Sequence, residues 1–315
     1  MKNIAFLFPG QGAQYIGMGK SLYENFDIAK KIVETTEEII GFDLKKIIFD
    51  GDEEELKKTE IAQPSIVMVS HMVCEILKSK GIEARAVAGL SLGEYSALIE
   101  ANSIDYRDGI DLVRKRGLLM EKAVPFGKGK MSAIIGLDKN IIEEVVGELT
   151  EKGIIEIANY NCPGQIVISG EAEIVDEANI VLKEKGAKRC IPLSVSGPFH
   201  TEMLLEAGEE LREILEKIEI KKPDKDIYLN ITGEKFEDED LVDNLVNQIS
   251  SSIMFEDIIR NMIRDGIEIF IEVGVGKTLS SFVKKTAKSE GVKVKTLNAD
   301  EYETIEKVIN SIQEG

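Results

Sequence analysis

One serine and one of two histidines carry the chemistry this sequence can offer. Gly89-Leu90-Ser91-Leu92-Gly93 is a GxSxG sequence, preceded by the short run Ala86-Val87-Ala88 and followed by a helical pattern opening near Leu92. A serine on a tight strand-to-helix turn is forced outward, and small neighbours avoid a clash at the strained corner. The helix N-terminus then presents free main-chain N–H groups toward a developing oxyanion. A serine hydroxyl is a weak nucleophile and needs a base. The chain has only two histidines, so an imidazole base is His71 or His200. His71 falls in an apolar helical pattern, among Val69, Met72, Val73 and Ile76, and reads as a structural or surface histidine. His200 sits in the junction Ser196-Gly197-Pro198-Phe199-His200, and loops joining rigid elements are where catalytic groups are mounted. Ser91 as nucleophile and His200 as base is the resulting assignment.

Other routes to chemistry are weaker. Cys74, Cys162 and Cys190 are far apart and form no CxxC pair, so no disulfide framework and no metal site is expected. Gly10-Gln11-Gly12-Ala13-Gln14-Tyr15 has tyrosine where a dinucleotide fingerprint needs its third glycine. Gly274-Val275-Gly276-Lys277-Thr278 ends like a phosphate loop, but Ile271 stands where the first glycine belongs. What remains there is a lysine-bearing helix N-terminus able to attract an anion.

The elements that must position these residues follow an α/β rhythm. The 315 residues are 43% hydrophobic and 30% charged, which are globular values. Ile4 to Phe8 is a continuous apolar run of the kind a buried parallel strand shows. Helical patterns at 19–33 and 64–80, the second introduced by Pro64, precede a strand at 86–89. Strands alternating with helices predict a mainly parallel sheet covered on both faces. From Lys130 the rhythm changes to strand 130–136, helix 139–151, strands 154–160 and 165–169, helix 171–185 and strand 188–195. That order is βαββαβ, a ferredoxin-like unit. The expected division is a large α/β domain of 1–126 and 197–315 with a small insert at 127–196. The large pattern resumes with a helix at 201–217, a strand at 227–230, helices near 240–249 and 255–265, a strand at 267–273, a helix at 277–288, a strand at 292–296 and a terminal helix.

Net charge sets limits on partners. With 39 basic and 57 acidic residues the formal charge is −18, which disfavours binding to nucleic acid or anionic lipid. No apolar run approaches the ~18 residues of a membrane span. A soluble, cytoplasmic protein is expected.

The quoted motifs, taken together, resemble those of a known family. Phe8-Pro9-Gly10-Gln11-Gly12-Ala13-Gln14, Gly89-Leu90-Ser91-Leu92-Gly93-Glu94-Tyr95-Ser96-Ala97 and Pro198-Phe199-His200 resemble the malonyl-CoA:acyl carrier protein transacylases of bacterial fatty acid synthesis. Arg116-Gly117, Asn159-Tyr160-Asn161, Pro163-Gly164-Gln165, Gln248 and Glu272-Val273-Gly274 with Gly276-Lys277 extend the match, in order, over nearly the whole chain. The resemblance implies an α/β-hydrolase-like core with a ferredoxin-like insert. It implies that Ser91 takes malonyl as an ester, with His200 as base and then acid, and that the main-chain carbonyl of Gln248 orients the imidazole in place of a triad carboxylate. It also implies an oxyanion hole from the N–H groups of Gln11 and Leu92, and Arg116 as the partner of the malonyl carboxylate. Phe199 resembles malonyl-selective members, where a bulky ring crowds a methyl branch. One departure is Leu90, where many members carry histidine; that position moves no proton in this scheme.

On this reading the partners are malonyl-CoA and acyl carrier protein, the reaction is ping-pong, the protein is a monomer, and no metal or redox cofactor takes part. Carrier proteins are acidic, so an acidic enzyme must dock them through local basic patches. Lys183, Lys185, Lys188 and Arg189, with Lys277, Lys284 and Lys285, are the expected docking residues. The alternatives are a trans-acting polyketide-type acyltransferase, a serine esterase or thioesterase, and a docking subunit with a vestigial site. An esterase predicts an acidic triad member and a histidine near the C-terminus, which His200 is not.

Overall fold

Five consecutive apolar residues, Ile4–Phe8, are all buried, as a strand covered on both faces requires. This strand is central in the computed structural model, which describes residues 3–125, 127–195 and 197–313. Its strands are β1 Ile4–Phe8, β2 Ala86–Gly89, β3 Gly129–Ile135, β4 Ile155–Cys162, β5 Gln165–Glu171, β6 Arg189–Pro192, β7 Asp226–Ile227, β8 Ile269–Val273 and β9 Lys295–Ala299. They form a parallel sheet in the order β7-β2-β1-β8-β9 and an antiparallel sheet in the order β4-β5-β3-β6. The mixed α/β architecture is the expected one.

The second sheet is βαββαβ in chain order, with helices Lys139–Leu149 and Ala172–Glu184 closing over Ile134, Ile168, Val175 and Leu182 in a core of its own. Phe126 and Ser196, which end the expected domain segments, lie outside the described residues. β4 is tied to the loop before helix Phe255–Arg264, where Tyr160 N–H donates to Ile253 O at 2.9 Å and Ile253 N–H donates to Ala158 O at 2.8 Å. In the large sheet Phe8 and Gly89 are register partners. The loop after β1 and the turn after β2 therefore leave side by side at the carboxyl edge, where open α/β sheets build their sites.

Several boundaries differ from the sequence expectation, each for a local reason. The helix at 64–80 starts earlier, at Thr59, so Pro64 lies inside it rather than opening it. The helix at 19–33 is two helices, Lys20–Asn25 and Asp27–Ile40, broken at the extended Phe26. The segment 201–217 begins as a 3-10 turn, Glu202–Leu204, before the helix Leu205–Leu215. The strand expected at 292–296 starts at Lys295, because Gly291 turns left-handed (φ 70°) and Val292 N–H closes the preceding helix on Ala287 O. The strand expected at 227–230 is the short β7, because the chain leaves the sheet after Tyr228 and Asn230 turns toward the β2 turn. Helices Leu44–Asp50, Glu53–Leu56 and Tyr106–Ala123 have no counterpart in the sequence expectation.

Candidate active site

Only glycine fits on either side of Ser91. A Cβ on Gly89 would overlap the main chain of Gly93, and a Cβ on Gly93 would overlap the carbonyl oxygen of Phe8. Between them Ser91 is held at φ 52°, a left-handed conformation that costs a non-glycine residue roughly 1–2 kcal/mol. Asn230 secures the turn from outside. Ser91 N–H donates to its Oδ1 at 2.7 Å, and its Nδ2 donates to Gly89 O at 2.7 Å. Gly93→Ala is expected to destabilise the fold by about 3 kcal/mol, because the β1 main chain cannot move aside; a lowered urea midpoint checks it.

His200 meets the serine from the other side. It too has positive φ, 62°, and its N–H donates to Ile249 O at 3.2 Å. Its Nδ1 lies 2.9 Å from the carbonyl oxygen of Gln248 and its Nε2 lies 2.8 Å from Ser91 Oγ. A carbonyl can only accept, so Nδ1 carries the proton and Nε2 presents a lone pair to the serine hydroxyl. Burial, with the nearby Arg116 cation adding to it, pushes the imidazole down to about 4. It is therefore neutral, and able to accept a proton, at physiological pH.

Arg116 is buried, although Arg114-Lys115-Arg116 reads as a surface run. Its helix carries Gly117 against the main chain of Thr59, 2.8 Å from where a Cβ would be, and this close packing draws the arginine inward. Arg116 Nη2 donates to Gln248 Oε1 at 3.1 Å and to Ser91 Oγ at 3.3 Å, with its guanidinium 5.1 Å from the Tyr95 ring centre. Burial lowers its pKa, opposed by Tyr95 and Glu94. An arginine remains charged through such a shift.

These groups share a cavity of about 110 Å³, lined among others by Gln11, Ser91, Arg116, Asn161, Phe199 and His200. The Gln11 side chain is tied back, donating to Thr59 Oγ1 and accepting from Gln63, both at 3.2 Å. The main-chain N–H groups of Gln11 and Leu92 make no hydrogen bond among the described residues. Leu92 itself is fully buried next to the serine.

Sequence reasoning assigned no role to three contributors. Glu94, fully buried, accepts from Gln248 Nε2 at 2.6 Å, from Asn244 Nδ2 at 3.0 Å and from Asn230 N–H at 3.2 Å. Glu94, Asn230 and Asn244 lie far apart in the chain, and only the fold joins them.

Other expected groups lie elsewhere. His71 stacks on Tyr106 with ring centres 4.0 Å apart and does not line this cavity. Lys183, Lys185, Lys188, Arg189, Lys277, Lys284 and Lys285 are all exposed, outside the cavity lining. Lys285 Nζ reaches Gln165 Oε1 at 3.3 Å, placing helix Thr278–Ser289 against the insert. The N-terminus of that helix already holds an anion of its own. Glu272 accepts from Leu279 N–H at 3.0 Å and Ser280 N–H at 2.7 Å, which leaves the glycine-rich loop before it with a structural task. Among the described residues no cluster of three metal-ligating side chains occurs, and no helix is long and apolar enough to cross a membrane.

Comparison with known proteins agrees with this geometry. The acyl transferase domain family matches residues 5–307. A malonyl CoA-acyl carrier protein transacylase of Bacillus subtilis is 45% identical over 316 residues, covering all of this chain and 98% of that protein. The crystal structure of a malonyl CoA-acyl carrier protein transacylase from Clostridium perfringens superposes with a TM-score of 0.94 at 40% identity, covering 100% of this chain and 98% of that one. A malonyl-transacylase solved in complex with a type II PKS acyl-carrier protein gives a TM-score of 0.94 at 32% identity, over the full length of both chains.

Proposed function

The chain belongs to the acyl transferase family, among its malonyl-CoA:acyl carrier protein transacylases, and from that premise we propose how this site performs the transfer. The enzyme moves malonyl from malonyl-CoA to the phosphopantetheine thiol of holo-acyl carrier protein. Ser91 Oγ attacks the thioester carbonyl as His200 Nε2 takes its proton, and the main-chain N–H groups of Gln11 and Leu92 receive the oxyanion. His200, now an imidazolium steadied by the Gln248 carbonyl, returns the proton to the departing coenzyme A thiolate. The carrier thiol then attacks the ester by the reverse path.

The observation that carries this reading is Arg116 Nη2, 3.3 Å from Ser91 Oγ in the cavity that both line. A permanent cation beside the nucleophile selects an acyl group ending in a carboxylate, whereas an esterase for neutral substrates has no use for one. Phe199, lining the same cavity, leaves malonyl favoured over its methyl-branched analogue. Mass spectrometry after mixing with malonyl-CoA tests the reading. A stable malonyl adduct on Ser91, discharged by holo-carrier protein, is expected. Turnover by water alone would mean hydrolysis, and no adduct would mean a docking subunit.

We further propose that the chain divides into 1–126 with 197–315 and an insert at 127–196. It works in the cytoplasm as a monomer, needs no metal or redox cofactor, and serves fatty acid synthesis. The acidic carrier docks on Lys183, Lys185, Lys188 and Arg189 of the insert and on Lys277, Lys284 and Lys285. What supports this surface is the exposure of all seven residues and the Lys285–Gln165 contact, which sets helix Thr278–Ser289 against the insert that carries the other group. Changing either group to glutamate is expected to raise the KM for carrier protein about tenfold and leave that for malonyl-CoA unchanged. Equal effects on both substrates in steady-state kinetics would rule the surface out.

A further inference from the structure

Glu94 is a buried carboxylate that the reaction scheme does not use, and its surroundings are one-sided. Every hydrogen bond it makes is as acceptor. Asn230 N–H and Asn244 Nδ2 donate to Oε1, and Gln248 Nε2 donates to Oε2. Only a group that accepts at both oxygens satisfies three converging donors. The arrangement matters because of what Gln248 does next. Its Nε2 also donates to Ser91 O at 2.8 Å, and its Oε1 accepts from Arg116 at 3.1 Å. The side-chain amide thus stands between the buried anion and the buried cation, with nitrogen toward Glu94 and oxygen toward Arg116.

Resting on the transacylase reading, we propose that Glu94 is the positioning residue for malonyl selection: its ionised carboxylate fixes the Gln248 amide in the orientation that holds Arg116 beside Ser91. A neutral group at 94 keeps an acceptor toward Asn230 and Asn244, where two donors converge. It therefore turns its own donor toward Gln248 Nε2. Donor then faces donor, the Gln248 amide rotates, and Arg116 meets an N–H instead of a carbonyl oxygen. The main-chain carbonyl that orients His200 is untouched. The defect consequently falls on the substrate whose carboxylate Arg116 binds.

Glu94 is poised to show this without mutation. Burial raises its carboxyl to about 7, against the lowering effect of its three donors and of Arg116. Arg116 is the charged group facing it from helix Tyr106–Ala123. Asn230, Asn244 and Gln248, on the segment after β7 and on helix Leu241–Gln248, do not titrate, and Tyr95 is its neighbour on its own helix.

The test is the ratio of single-turnover Ser91 acylation rates for malonyl-CoA and acetyl-CoA, measured from pH 6 to 8. In the unaltered enzyme the ratio is expected to fall severalfold as pH drops through 7. In Glu94→Gln it is expected to be about tenfold lower and flat with pH, because a small displacement at a reacting centre costs one to two orders of magnitude. A merely structural role lowers both rates together and leaves the ratio alone. The wild-type profile answers the question even if the variant does not fold. A pH-independent wild-type ratio, or a Glu94→Gln ratio equal to wild type, overturns the proposal. Absence of any malonyl adduct on Ser91 would instead overturn the reading on which it rests.

Discussion

Replacing His200 with alanine is expected to slow acylation of Ser91 by about 10⁵-fold while leaving malonyl-CoA binding within about twofold, because in the proposed mechanism the imidazole acts on the proton and Arg116 on the carboxylate. Quenched-flow acylation and equilibrium binding separate the two quantities. The pH profile adds an independent check. A histidine held at about 4 carries no proton at neutral pH. Acylation by acetyl-CoA, in which Arg116 has no carboxylate to hold, should therefore stay level down to about pH 5 and then fall. An ordinary imidazole would already be half protonated near 6.5. The same shift bears on stability. The unfolded chain takes up this proton near 6.5 and the folded one resists until about 4, so the buried ring's contribution is lost as pH falls through that window.

The pairing of Ser91 with His200, 2.8 Å apart in the structure, was readable from sequence because composition and local sterics did most of the work. GxSxG names its serine by requiring glycine on both sides, and the structure shows the overlaps behind that requirement. Two histidines left a choice of one, and His71 went to a stack with Tyr106. The support around the pair was not readable. Asn230 lies 139 residues from Ser91 and Asn244 lies 150 residues from Glu94, and hydrogen bonds across such distances leave no periodicity in a chain. A signal did exist for Glu94. It is the second residue of Gly93–Glu100, a helix whose eight residues are all buried, and a carboxylate inside such a helix must find donors.

Arg116→Ala is expected to cost about 3 kcal/mol in kcat/KM for malonyl-CoA, near 10²-fold, and almost nothing for acetyl-CoA. The variant's preference between the two thioesters then collapses or reverses. Arg116→Lys should recover little of the loss, since an ammonium cannot serve Gln248 Oε1, Ser91 Oγ and a substrate carboxylate with a planar fork. Competition kinetics with both thioesters in one reaction gives the ratio directly. An unchanged ratio would remove Arg116 from substrate selection. The role proposed for Arg116 came from resemblance and not from local pattern. Three consecutive basic residues look solvated, and only the helix phase, with Leu112, Val113, Gly117 and Met120 buried around it, turns the third one inward.

The fold was legible at the level of alternation and less so at its edges. Apolar runs fixed β1, β2 and β8, and the βαββαβ order of the insert followed from turn residues and spacing. What failed were places where a neighbour takes over a backbone group. Val292 N–H closes a helix instead of joining a strand, and Asn230 leaves β7 to hold the serine turn.

The acceptor that orients His200 is a peptide carbonyl, which gives the site an unusual mutational profile. In a triad built from three side chains, single-codon changes at any of three positions can disarm the machinery. Here no codon at position 248 can delete the oxygen on which Nδ1 rests. A saturation library should accordingly contain two positions, 91 and 200, where every substitution abolishes acylation. Position 248 should tolerate substitution in proportion to how well each side chain serves Arg116. On the proposed scheme the machinery presents a smaller target to random mutation, and the information at 248 concerns which acyl group is chosen, not whether one is transferred.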